Sequence, residues 1–123
     1  ASMSGGGDIQ SFPSSWYMES KLGSQAEYPE RWEEFCVMNQ LYRLKPTSIR
    51  ILFDCGTSDF FYPMNQRLHE QMVYRRIEHD FISRPGGHTW DYWTNSIKFQ
   101  LVFFDNYFQD MAAAAKKEAE KAK

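Results

Sequence analysis

The sequence has no long apolar run, no excess of basic residues and few cysteines, and each absence excludes a class of protein. No stretch approaches the roughly 20 apolar residues that cross a bilayer, so no membrane partner is predicted. The formal net charge is −2 over 123 residues, which argues against nucleic acid as a partner because phosphate binding needs a basic face. Cys36 and Cys55 lie in apolar surroundings and are predicted to be free, buried thiols.

Motifs for metals and cofactors are also missing. There is no His-Glu-x-x-His and no clustered spacing of Cys and His, so no metal centre is predicted. The glycines at 5–7 are not followed by the lysine that a phosphate-binding loop requires, and no cofactor is predicted. What the chain does contain is 42% hydrophobic and 17% aromatic residues, enough for a packed core.

Strand and helix patterns alternate along the chain. The predicted elements are a short strand within residues 1–15, a helix over Tyr28–Leu44, a strand over Ser48–Gly56, a helix from Met64 to about Arg76, a strand over His79–Arg84 and a helix from Thr89 to about Met111. This alternation predicts an α/β fold with about three parallel strands, doubly wound.

The last predicted helix carries an apolar stripe and is followed by a segment of different composition. The stripe is predicted to face the core, and its members are Trp93, Ile97, Leu101, Phe104 and Phe108. Residues 112–123 contain only Ala, Lys and Glu, which predicts a helical or frayed tail after a domain over 1–111.

Two polar residues follow neighbouring predicted strands. Asp59 lies in the loop after the best strand, and His88 follows Pro85-Gly86-Gly87 directly after the next strand. Parallel strands end at the same edge of a sheet, so both side chains are expected there, in the acid-then-base order of a hydrolase triad. The competing acid, Asp54, is expected to hydrogen-bond the turn. His69 is expected on a helix surface, and His79 is expected to be structural.

Two segments around these residues resemble a known family. Ile51–Phe60 is similar to an I-D-C-G-T-x-D-F segment, from which it departs around Leu52-Phe53-Asp54, and Pro85–Trp93 is similar to P-G-G-H-x-W-x-Y-W. Both segments occur in the putative-esterase family of α/β-hydrolases, which includes tributyrin, acetyl-xylan and feruloyl esterases. The resemblance runs from Ala1 to about Phe108 and implies the C-terminal half of an α/β-hydrolase fold.

The resemblance also implies a function. It implies a serine carboxylesterase in which His88 is the general base and Asp59 the orienting acid of the triad. The expected substrate is an ester, either a small molecule or one linked to a polysaccharide. Trp16, Phe60 and Trp90 are candidates for the wall of an acyl or aromatic pocket, although aromatic residues near a core are more often packing.

The serine nucleophile has one weak candidate. Ser4 lies in Ser2-Met3-Ser4-Gly5-Gly6, close to the G-x-S-x-G pattern of a nucleophile elbow. Too few residues precede it for the strand that an elbow needs, and glycines followed by Pro13 replace the required helix. In the family, this segment resembles the end of the strand that follows the nucleophile helix.

The chain is therefore expected to be a piece of an esterase whose nucleophile and oxyanion hole lie upstream. The expected partner is the missing N-terminal half of the domain or, alternatively, a second copy that covers the exposed sheet edge. A further alternative is a catalytically silent fragment that acts only as a structural or oligomerising piece.

Overall fold

A sheet of three parallel strands forms the framework of the computed structural model, which describes residues 1–45 and 49–122. The strands are β1 (Ser2–Met3), β2 (Leu52–Gly56) and β3 (Asp80–Arg84), and β2 lies in the centre. Ser2 pairs with Phe53, which in turn pairs with Phe81. The predicted parallel α/β architecture is confirmed. Ser48, the predicted start of the central strand, lies outside the described residues.

The two longest helices connect and follow the strands. α3 (Tyr62–Tyr74) lies between β2 and β3, and α4 (Trp90–Lys121) follows β3. Every residue of β2 is buried, as expected for a central strand that is covered on both faces. Phe53 of β2 and Met72 of α3 belong to one core cluster, which fixes α3 against the sheet.

The segment between β1 and β2 differs from the single helix predicted over Tyr28–Leu44. The structure has α1 (Met18–Leu22), α2 (Pro29–Glu34) and then a 3₁₀ helix over Val37–Arg43. Cys36 is extended between the two last elements, with φ −81° and ψ 116°. The Met38 N–H donates to Gly7 O at 3.1 Å, so contacts with the N-terminal segment replace the helical bonds at this point.

The buried face of α4 also differs from the prediction. Tyr92, Ser96 and Gln100 are its buried residues, whereas three members of the predicted stripe are exposed by 38–64%: Ile97, Leu101 and Phe108. Arg84 of β3 donates to Ser96 Oγ at 2.7 Å, and this polar contact turns the Tyr92–Gln100 face toward the sheet. The assignment to the core is therefore wrong for these three residues, while the other two members of the stripe, Trp93 and Phe104, are half-buried.

Two further expectations concern the thiols and the tail. Cys36 and Cys55 are free and buried, as predicted. α4 continues without a break to Lys121, so the tail begins as an extension of that helix, and its separation from the domain stays a prediction. None of the described helices is long and apolar enough to cross a membrane.

Candidate active site

His88 and Asp59 meet at the carboxyl edge of the sheet. His88 lies in the loop between β3 and α4, and Asp59 lies between β2 and α3. His88 Nδ1 is 3.0 Å from Asp59 Oδ2, and the Asp59 side chain is fully buried while that of His88 is 32% exposed. The structure thus brings together the two residues that the sequence placed on neighbouring loops.

Backbone hydrogen bonds tie the two loops together. The Thr57 N–H donates to Arg84 O at 2.9 Å, and the Ser58 N–H donates to Gly86 O at 2.8 Å. These bonds continue the pairing of β2 with β3 beyond the ends of the strands. The separation of the acid and the histidine is therefore set by the backbone as well as by their own hydrogen bond.

Glycine at position 56 permits this close approach. A Cβ at Gly56 would collide with the Gly86 carbonyl, at 2.6 Å from its carbon atom. Gly86 itself has φ 137°, a conformation that residues with a side chain rarely adopt, and a Cβ there would strike the Tyr92 ring. At Gly87 the nearest atom to an added Cβ is Ser58 O at 3.6 Å, which is ordinary contact.

We expect Gly56→Ala to lower the free energy of unfolding by about 1–3 kcal/mol, because the backbone of the histidine loop has to move away. Gly87→Ala is the matched control in the same loop and is expected to change it by no more than about 0.5 kcal/mol. Urea denaturation of both variants measures the difference. Equal effects of the two substitutions would contradict the argument from close approach.

Both oxygens of the Asp59 carboxylate are occupied. Oδ1 accepts the Phe61 N–H at 2.8 Å, and Oδ2 faces His88 Nδ1. A carboxylate only accepts hydrogen bonds, so in the neutral form of the imidazole Nδ1 carries the hydrogen and Nε2 carries the lone pair. Within residues 1–45 and 49–122, His88 Nε2 makes no hydrogen bond to a protein atom. The side chain of His88 is 32% exposed, and this nitrogen is left without a protein partner among the described residues.

Aromatic rings surround the imidazole. The His88 ring lies 4.6 Å from Phe60, 5.5 Å from Phe61 and 4.8 Å from Trp93, measured between centroids. Trp16 stacks on Phe60 at 6.3 Å. Trp90 is 79% exposed and contacts Trp93 at 5.2 Å. Trp16 and Phe60 therefore extend from His88 as one surface, while Trp90 joins it only through Trp93.

Ser4 lies at the end of β1 and is 3% exposed. Its Oγ accepts a hydrogen bond from Trp93 Nε1 at 3.1 Å. The next helical element along the chain is a single 3₁₀ turn over Ile9–Ser11, not the helix of a nucleophile elbow. Among the described residues, no serine hydroxyl is hydrogen-bonded to His88.

A buried polar network beside the site was not predicted. Asp54 is fully buried, and instead of bonding the turn it accepts from Arg84 Nη2 at 2.6 Å and from the Tyr92 hydroxyl. Burial and the hydrogen bond to Asp54 raise the pKa of Tyr92, which keeps the phenol protonated as a donor. Two features of the sequence indicate such a network: Asp54 is an acid within an apolar strand, and Arg84 is the last residue of the next strand.

The other two histidines pair with each other. His69 Nδ1 is 2.8 Å from His79 Nε2, and His79 Nδ1 is 2.7 Å from Ile77 O. His69 is half-buried, so its assignment as a solvated surface residue is wrong, because the α3 face that carries it packs near β3. Across the described ranges, no three His, Cys, Asp or Glu side chains converge on a position that could hold a metal ion.

Two proteins of known structure are similar to this chain. A ferulic acid esterase of known structure is 21% identical, with a TM-score of 0.60, over 82% of this chain and 39% of its own. FphF, a fluorophosphonate-binding serine hydrolase from Staphylococcus aureus solved with bound substrate, is also 21% identical, with a TM-score of 0.61, over 82% of this chain and 42% of its own. The chain therefore spans about two fifths of the length of these structures. No curated protein sequence matches it.

The parallel sheet and its likeness to these two structures define an α/β-hydrolase fold. The family model described as "Putative esterase" matches residues 16–104, and the chain belongs to that family. It is thus a member of the carboxylic-ester hydrolase superfamily, as the sequence motifs implied.

Proposed function

We propose that this chain supplies the histidine base and the orienting carboxylate of a serine carboxylesterase. The observation that carries the proposal is the hydrogen bond between His88 Nδ1 and Asp59 Oδ2 at 3.0 Å, at the sheet edge where such folds hold their sites. The second bond to the carboxylate, from the Phe61 N–H, holds it in the orientation that receives the imidazole.

The proposed chemistry uses His88 Nε2 as a proton carrier. Nε2 removes the proton from a serine hydroxyl as its oxygen bonds to the ester carbonyl carbon, and it then gives that proton to the departing alcohol as the carbon–oxygen bond breaks. Water repeats the two steps and releases the acid. Asp59 remains a carboxylate throughout and stabilises the imidazolium that forms transiently.

We propose that the nucleophilic serine is not Ser4. Its buried hydroxyl is already the acceptor for the Trp93 indole, and a single 3₁₀ turn rather than an α-helix follows it. An elbow serine has to project from the sheet toward the histidine at the start of a helix. The nucleophile and the donors that stabilise the oxyanion then come from outside these residues.

The proposed source is an N-terminal part of the same hydrolase domain. Among the described residues β1 pairs only with β2, so its outer edge is open. A groove of about 440 Å³ lies beside these two strands and has apolar walls that include Leu41 and Leu68. A further strand and helix would bury both features. A second copy of the chain is the alternative occupant.

The proposed substrate is a carboxylic ester whose acyl or alcohol group packs on the aromatic surface beside the base. Trp16 and Phe60 are about half exposed, at 57% and 52%, and are stacked together next to His88. Exposed aromatic faces of this kind provide apolar contact for a ligand. Trp90 lies farther out and would contact only a longer substrate.

We expect this chain alone to give no labelling with a fluorophosphonate probe, because the proposed nucleophile is elsewhere. The longest reading frame that contains the chain is expected to be labelled on one serine and to hydrolyse a short p-nitrophenyl ester. In-gel fluorescence with peptide mapping measures both. Labelling of Ser4 would contradict the assignment of the nucleophile, and an unlabelled, inactive full frame would favour the catalytically silent fragment.

A further inference from the structure

Ser4 has a backbone conformation that calls for an explanation. Its φ is 50°, in the left-handed region that non-glycine residues seldom occupy unless the surrounding structure imposes it. Its N–H donates to Asp54 O at 2.7 Å, which continues the pairing of β1 with β2. This conformation directs a buried hydroxyl toward α4 rather than toward solvent.

The Ser4 hydroxyl acts as a fixed acceptor. It receives the Trp93 indole N–H at 3.1 Å. It also lies beside Cys55, whose pKa is raised to about 12 by burial and by the charge of Asp59, while a hydrogen bond from Ser4 acts in the opposite direction. Cys55 is therefore a neutral thiol, and its sulfur is a weak hydrogen-bond acceptor. The Ser4 hydroxyl can point its proton toward this sulfur while its oxygen accepts the hydrogen bond from Trp93.

The Trp93 ring contacts the imidazole directly. The two centroids are 4.8 Å apart and the ring planes are nearly perpendicular, at 85°. Trp93 lies in the first turn of α4, and its amide N–H donates to Thr89 O at 3.1 Å. Its backbone and its indole nitrogen are thus both held, and the imidazole cannot swing toward Trp93 without displacing a bonded ring.

We propose that Ser4 and Trp93 are positioning residues for His88. Ser4 holds the indole of Trp93 in place, and the indole keeps the imidazole in the orientation that bonds Asp59. This inference deepens the proposed function, since it rests on His88 being the base. It gives Ser4 a role at the site that is not that of a nucleophile.

Nitrogen-15 NMR of the histidine rings in this chain tests the proposal at about pH 9, well above the ordinary histidine pKa of about 6.5. The measured quantity is the ratio of the Nδ1–H to the Nε2–H tautomer of His88. Ser4→Gly removes the acceptor and suits the positive φ, so it should fold, and Trp93→Phe keeps an aromatic ring without the donor. Both are expected to lower the ratio by about fivefold, as for the loss of one hydrogen bond.

Trp32→Phe is the matched control. Its indole Nε1 donates to Gly23 O at 3.0 Å, so the variant also loses a hydrogen bond from a buried tryptophan, but this bond does not involve a site residue. It is expected to leave the His88 ratio unchanged. If Ser4→Gly and Trp93→Phe behave like Trp32→Phe while Asp59→Asn abolishes the Nδ1–H preference, the positioning role is wrong and the proposed base stands. If the unmodified chain shows no Nδ1–H preference, the proposed function itself fails.

Discussion

Replacement of His88 by alanine, in the longest reading frame that contains this chain, is expected to lower kcat for a short p-nitrophenyl ester by at least about 10⁴-fold. The loss is expected in kcat because the proposed role of the imidazole is to transfer protons in the transition state, while the aromatic surface that we propose binds the ester stays intact. Steady-state kinetics with active-site titration measures the effect.

Asp59→Asn tests the acid separately. An amide nitrogen facing Nδ1 favours the tautomer with the proton on Nε2, and a protonated Nε2 cannot accept the serine proton. We therefore expect kcat to fall by about 10⁴-fold even if the fold is unchanged. His69→Ala and Asp80→Asn are the matched controls, since both side chains lie outside the site and Asp80 is exposed at the start of β3. Both controls are expected to keep kcat within about threefold of the unmodified enzyme.

Circular dichroism of each variant separates loss of the base from loss of the fold. A folded His88→Ala enzyme that keeps its rate would overturn the assignment of the base. A folded Asp59→Asn enzyme at full rate would show that another group orients the imidazole. The double variant is expected to be no slower than His88→Ala, because residues that act as one unit are not additive.

The site pair could be predicted from the sequence because its determinants are local. Asp59 follows a strand that is apolar and closed by Gly56, and His88 follows a strand closed by Pro85 and two glycines. Parallel pairing then puts both loops at one edge, and this needs no knowledge of distant contacts. The measured distance of 3.0 Å agrees with that expectation of proximity, while the catalytic roles stay proposals.

The rest depended on contacts between segments far apart in the sequence. The break at Cys36 is made by Gly7, which lies 29 positions earlier, and helical periodicity gives no sign of it. On α4 the apolar residues predicted one buried face, and Ser96 did not belong to it. In the structure the face that contains Ser96 is buried, because this serine accepts a hydrogen bond from the Arg84 guanidinium. The periodicity of apolar residues locates the apolar face of a helix, but it does not show where the hydrogen-bond partners of a buried charge lie. A buried charge needs such partners, so it can determine which face of a helix is buried.

The Arg84–Asp54 pair leads to the largest expected effect on stability. The Asp54 side chain is fully buried, and that of Arg84 is 25% exposed. Arg84→Met keeps much of the volume and leaves a buried carboxylate with only the Tyr92 hydroxyl as its side-chain donor. We expect the free energy of unfolding to fall by about 3–5 kcal/mol, a large fraction of the 5–15 kcal/mol that is typical of a domain. Urea denaturation measures the loss.

Two further variants make this prediction specific. Arg50→Met removes an exposed ion pair with Asp110, whose partners are 51% and 61% exposed, and is expected to cost less than about 1 kcal/mol. The double variant Asp54→Asn with Arg84→Met removes the buried charge together with its partner, and is expected to be more stable than Arg84→Met alone, because the uncompensated carboxylate is the main cost. If Arg84→Met is no worse than Arg50→Met, or if the second substitution restores nothing, the cost that we assign to the uncompensated buried carboxylate is wrong.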